Sequence, residues 1–274
     1  MANPARERIR SRLQFQQKPG LVAYVTCGDP NIETTCEIVL SAVRAGADVI
    51  ELGVPFSDPV ADGPVIQRAS ERALKKGTSL ADVLALAAEV RKQSETGLVI
   101  FSYLNPILRF GMQRFCERAK QAGVDGALIT DLTVEEAAEY RRLMEAHGLE
   151  TIFLTAPTSP DQRLRSIVRA CQGFVYAVSR TGVTGTRDQL AGDAANLVKR
   201  IRKLTRLPVA VGFGISNHDH FRQVAEFADA AAVGSAIVQA VEQNPGHEAE
   251  AVAALIRKIR GTEGGAAESA ASQS

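Results

Sequence analysis

In the stretch DVIELGVPFSDPVADGP (residues 48–64), three carboxylates follow the opening Asp48: Glu51 at the end of an apolar run, then Asp58 and Asp62. The stretch contains three prolines, two glycines and no lysine or arginine to balance the charge. One reading is a solvated loop, because aspartate before proline or glycine is ordinary turn chemistry. The other is a general acid/base pair. Period-two counting puts Val49, Glu51 and Gly53 on one face of a strand and Ile50, Leu52 and Val54 on the other. If the branched set meets helices, Glu51 points inward among apolar walls. A carboxyl there has a raised pKa and can hold a proton near neutral pH.

A second candidate feature is anion binding. VGFGISN (211–217) and VGSAIVQAV (233–241) each follow an apolar run, and the second reads as the start of a short helix. Glycine permits close backbone approach, and a helix N-terminus presents free N–H groups, so Gly214, Gly234 and Ser235 are the expected phosphate donors. The alternative is that these are packing glycines. SRTGVTGTRDQL (179–190) is small and polar; it reads as a lid with Gly182 and Gly185 as hinges, or as a plain loop, and Gly185 could add an N–H to the phosphate. The NHDH stretch (217–220) invites a metal, but His218 and His220 are too few and no third ligand is evident, so no metal site is expected.

These residues need a frame. Eight short apolar runs recur: 21–27, 48–53, 98–103, 126–130, 151–155, 174–179, 208–213 and 230–234. They are nearly continuous in Val, Ile, Leu and Ala, as strands buried on both faces are. Segments of helical period lie between them, several opening on Ser, Thr or Asn and closing on Gly. The pattern predicts an α/β fold, a (β/α)8 TIM barrel, with an additional N-terminal helix near 4–14 and a short phosphate-site helix after strand 8. In such a barrel the C-terminal strand ends hold the site, which is where Glu51 and both glycine turns fall. AGADVIELG, AGVDGALIT and FADAAAVG form a weak internal echo, each running through an aspartate into a strand. A doubly wound sheet is the rival, but the first turn, TCGDPN, has a single glycine. Residues 1–260 read as one barrel domain and 261–274, rich in Gly, Ala and Ser, as a disordered tail.

The bulk numbers restrict the function. A net charge of +1 over 274 residues gives no nucleic-acid surface and no polybasic membrane patch. Cys27, Cys36, Cys116 and Cys171 are widely spaced and read as free thiols. The N-terminus lacks an apolar h-region and no apolar run is long enough to span a bilayer. A cytoplasmic enzyme is the expectation.

ELGVPFSDPVADGPVIQRA closely resembles the signature of the tryptophan synthase alpha subunit family. YVTCGDP, YLNPI, APTS, SRTGVTG, VGFGIS and VGSAIV resemble further motifs of that family in the same order, over about residues 10–260. The resemblance implies a (β/α)8 barrel that cleaves indole-3-glycerol phosphate to indole and glyceraldehyde 3-phosphate, a carbon–carbon lyase. It implies a beta-subunit partner in an αββα heterotetramer, which receives the indole. It also implies no cofactor in this chain, pyridoxal phosphate being expected only in the partner. The family's catalytic carboxylates fall on Glu51 and Asp62. The resemblance places Asp58 at the partner interface, and Tyr24, Tyr103, Tyr176 and Thr184 against the substrate. One departure is Asp131-Leu132-Thr133, where many members have proline in place of Thr133. The alternative is a free-standing indole-3-glycerol phosphate lyase, which would use the same two carboxylates.

Overall fold

The computed structural model describes residues 4–13, 19–178, 187–212 and 214–262. Among the described residues, nine strands lie in one parallel sheet: β1 (Gly20–Thr26), β2 (Val49–Gly53), β3 (Gly97–Ser102), β4 (Gly126–Ile129), β5 (Glu150–Ile152), β6 (Leu154–Thr155), β7 (Val175–Val178), β8 (Val209–Gly212) and β9 (Ala230–Val233). β1 pairs with both β2 and β9. The sheet's two outer strands, β5 and β6, are one chain segment interrupted at Phe153. β5 pairs with β4 and β6 with β7, so this segment closes the barrel. The fifth expected strand therefore appears as two, because its hydrogen bonds pass from one neighbour to the other at Phe153. The barrel is the expected TIM barrel.

Alternation divides the strand residues between two cores. Val22, Val49, Val99, Leu128, Ile152, Phe174 and Ala210 fill the interior. Ile50, Leu52, Ile100, Ala127, Phe153 and Val211 face the surrounding helices. Burial on both faces is what the near-continuous apolar runs require. The helix Pro4–Leu13 plugs the N-terminal end, with Ile9 and Leu13 packed on the interior residues.

The aspartate echo has a structural basis. Asp48, Asp125 and Asp229 each precede a strand, and each accepts the amide of the preceding strand in the barrel (Leu21, Leu98 and Val209) at 2.8 Å. Each also meets arginine: Arg260 on Asp48, Arg8 and Arg91 on Asp125, and Arg202 on Asp229. The repeat ties strand starts together at the end remote from the site.

The last helix, Glu248–Arg260, ends at Gly261 in the left-handed conformation. His218 Nδ1 lies 2.9 Å from the carbonyl of Ile259, so this histidine closes that helix end. The expected tail beyond residue 262 lies outside the described residues. No described helix is long and apolar enough to cross a membrane.

Candidate active site

Glu51 sits on β2 with Tyr24 of β1 as its register partner. It is 1 % exposed and its side chain opens on a cavity of about 320 Å³ at the C-terminal ends of the strands. Oε1 of Glu51 has no hydrogen-bond partner among the described residues. Burial without a counter-charge raises this carboxyl from an ordinary glutamate value near 4.5 to about 8. A buried polar atom left unpaired is destabilising and is characteristic of a functional position.

Two tyrosines flank Glu51, Tyr24 from β1 and Tyr176 from β7, both lining the cavity. Each ring lies across a glycine of the next strand. A Cβ on Gly53 would collide with the Tyr24 hydroxyl, and one on Gly212 would come within 2.9 Å of the Tyr176 hydroxyl. These glycines are required for the close approach of the rings. Phe101 meets Tyr24 edge to face at 5.1 Å and completes an aromatic wall. A flat apolar ring fits such a wall.

The opposite side of the cavity is lined by two glycine turns and a helix start. The turn after β8 contains Gly214 at φ +56, a left-handed conformation that favours glycine. After β9, Gly234 caps the helix Ser235–Gln243. Ile237 N and Val238 N both donate to the Gly234 carbonyl, at 2.9 and 3.1 Å. The amides of Ser235 and Ala236 have no intrahelical acceptor and are available to a ligand, as in the first turn of any helix. Gly214, Gly234 and Ser235 all line the cavity.

Asp62 is half-buried in the loop between β2 and the helix Pro64–Lys75, near enough to the cavity-lining Tyr24 for its charge to act on that hydroxyl. The Tyr103 hydroxyl donates to Asp62 Oδ2 at 2.9 Å and accepts from the Ala61 amide at 3.0 Å. Tyr103 thus holds Asp62; neither residue is among those lining the cavity. Burial raises the Asp62 carboxyl above the ordinary aspartate range, and the Tyr103 hydrogen bond acts in the opposite direction by favouring the charged form. Tyr103→Phe should therefore raise the Asp62 pKa further, because burial then acts unopposed. Carbon-detected NMR titration of the Asp62 carboxyl would read the shift, and an unchanged midpoint would refute this role for Tyr103.

Tyr24, Glu51, Tyr176, Gly214, Gly234 and Ser235 thus meet around one cavity, and Asp62 with Tyr103 forms a pair at its edge. Asp58 is exposed and accepts from its neighbour Ser57 at 2.6 Å. Thr184, Gly182 and Gly185 lie outside the described residues. Of the segment expected as a lid, 179–190, the last four residues belong to the helix Arg187–Arg202, and the others lie outside the described residues. Ile66, Phe101, Gly212, Ser216 and Gln239 also line the cavity, four of them inside the motif stretches but none expected individually as a site residue. Two signals were available. Phe101 has the inward parity of Val99 on β3, and Gln239 follows Ser235 by one helical repeat.

The sequence profile of the tryptophan synthase alpha chain family matches residues 11–267. The tryptophan synthase alpha chain of Solibacter usitatus is 52% identical over 237 residues, which are 86% of this chain and 89% of that one. The crystal structure of the alpha chain from Legionella pneumophila superposes with a TM-score of 0.85 at 35% identity, covering 94% of this chain and 96% of that one. A chain of the tryptophan synthase complex from Pyrococcus furiosus superposes with a TM-score of 0.82 at 38% identity, covering 89% and 99% respectively.

Proposed function

The chain belongs to the tryptophan synthase alpha chain family, and we propose that Glu51 and Asp62 carry its reaction, the cleavage of indole-3-glycerol phosphate to indole and glyceraldehyde 3-phosphate. The observation that supports this most directly is the buried Glu51 carboxyl, raised to about 8, whose Oε1 has no partner among the described residues and which faces a cavity with an aromatic wall and a glycine-lined helix start. At neutral pH it is a proton donor in a water-poor site.

The indole ring lies along Tyr24, Phe101 and Tyr176, and the phosphate is held by the amides of Gly214, Gly234 and Ser235. Glu51 gives its proton to C3 of the ring, which becomes an indoleninium cation. Asp62, ionised, accepts a hydrogen bond from the ring N–H and stabilises that cation. Glu51, now a carboxylate, takes the proton from the hydroxyl on the carbon attached to the ring. That carbon becomes the aldehyde carbonyl as the carbon–carbon bond breaks, and the bonding pair returns to the ring to give indole. One proton enters and one leaves, with no change in oxidation state, so no cofactor is required of this chain. Two carboxylates in different surroundings suit these opposite roles.

The beta subunit receives the indole, and pyridoxal phosphate belongs to that partner. We place the partner over the loop that follows β2, in an αββα assembly within the cytoplasm. That loop carries Asp58 on its outside and Asp62 at its inner end, and Val60 between them is 84% exposed. Phe56 packs on Tyr103 at 5.1 Å, so contact at the outer face can reach the Tyr103–Asp62 pair.

The test is indole release from indole-3-glycerol phosphate by the purified chain, alone and with a beta subunit. Slow release that the partner raises manyfold is the expected result. Equal and fast release in both conditions would indicate a free-standing lyase, and none in either would remove the activity.

A further inference from the structure

An ion-pair network lies behind the site. Arg72 grips Asp29 with both arms of its guanidinium, Nε to Oδ1 and Nη2 to Oδ2, each at 2.8 Å. Its third nitrogen, Nη1, bonds Glu242 Oε1 at 2.7 Å. Arg68, one helical repeat earlier, grips the same glutamate at 2.8 and 2.7 Å. Asp29 is 3% exposed, so this end of the network is shielded from solvent.

Each partner belongs to an element with a role at the site. Asp29 is in the turn after β1, the strand of Tyr24. Arg72 and Arg68 are on the helix Pro64–Lys75, which starts two residues after Asp62 and puts Ile66 into the cavity. Glu242 is near the end of the helix Ser235–Gln243, whose first residues form the anion cradle. Between the two helices, Tyr24, Ala69 and Val238 form a small apolar cluster. Apolar contact is non-directional and allows two helices to slide. A bidentate fork is directional: Arg68 makes one on Glu242 between the two helices, while Arg72 makes one on Asp29 that fixes its helix to the turn after β1 and adds a single Nη1 bond to Glu242.

We propose that Arg72 is a positioning residue for the cleavage: it locks the helix after Asp62 to the anion-cradle helix, so that a bound phosphate and the Asp62 carboxylate keep a set separation. This rests on the reading of the two halves of the site given above. Its consequence is that phosphate binding steadies the Asp62 loop and commits a phosphorylated substrate to turnover. Thermal stability is the smaller effect, because the Glu242 arm is partly solvated and such pairs are weak.

The experiment uses the full chain with inorganic phosphate as probe. Hydrogen–deuterium exchange over residues 61–68 should slow when phosphate saturates the wild-type chain. In Arg72→Gln, where only the Arg68 fork still joins the two helices, that protection should weaken while the phosphate dissociation constant stays within about threefold and kcat falls by about tenfold or more, the scale expected for a misplaced catalytic group. Arg72→Lys, which retains the charge but not the fork, should be intermediate, and it stands in if Arg72→Gln does not fold. Wild-type chain without phosphate-dependent protection, or Arg72→Gln with wild-type protection and kcat, would overturn the proposal. The exchange readout needs no turnover. A wild-type chain that shows the protection but releases no indole would therefore refute the activity and leave the coupling standing.

Discussion

Glu51→Gln lowers indole release at neutral pH by about 10³-fold, with substrate affinity changed only a few fold, as expected when a positioned proton donor is removed. Glutamine matches the shape and polarity of the protonated side chain, so the pocket survives. What it cannot do is deliver a proton to C3 and take one back from the hydroxyl. The wild-type pH profile provides an independent check. The active form is protonated, so kcat/KM falls as pH rises through about 8. Stability has the same sign. Between about 4.5 and about 8 the folded chain retains a Glu51 proton that the unfolded chain has released, so stability declines as pH rises through that window. Glu51→Gln has no such slope and should gain stability relative to wild type toward pH 8, the common trade at a strained functional position. Steady-state kinetics and thermal melts from pH 5 to 9 measure both. A variant within tenfold of wild type would remove Glu51 from the chemistry.

Asp62→Asn lowers kcat by about 10²- to 10³-fold, the usual scale for removing one electrostatic stabiliser of a transition state. Asparagine retains an oxygen that can accept from Tyr103, so the loop geometry seen at 2.9 Å can persist. The loss is then of negative charge opposite the indoleninium nitrogen, and it should appear in kcat with KM within a few fold. Single-turnover measurement separates this from slow product release. A large rise in KM with kcat intact would mean that Asp62 only binds substrate.

Much of this site was legible in the sequence. The parity of Val49, Glu51 and Gly53 is a property of any strand, and it placed Glu51 inward correctly: Val49 is in the interior core while Ile50 and Leu52 face the helices. The eight apolar runs announced strands covered on both faces. The glycine turns at 214 and 234, expected to face a common ligand, do line the same cavity as Glu51. Glu51, Tyr24, Tyr176 and Ser235 do meet around one cavity.

Other features depend on residues far apart in the chain, and no local pattern reveals them. Tyr103 comes to Asp62 from 41 positions away and holds the carboxylate rather than lining the cavity. Gly53 and Gly212 look like ordinary strand ends until a tyrosine ring from the neighbouring strand crosses each. Asp48, Asp125 and Asp229 echo in the sequence, yet their bonds to the preceding strands appear only once the barrel closes. The alternation that forms strands and helices arises from backbone geometry over a few residues, so the sequence by itself determined the barrel and the side of it on which the carboxylates fall. The proton on Glu51 depends on desolvation by walls drawn from several distant strands, with no counter-charge on Oε1, and only the tertiary structure decided that.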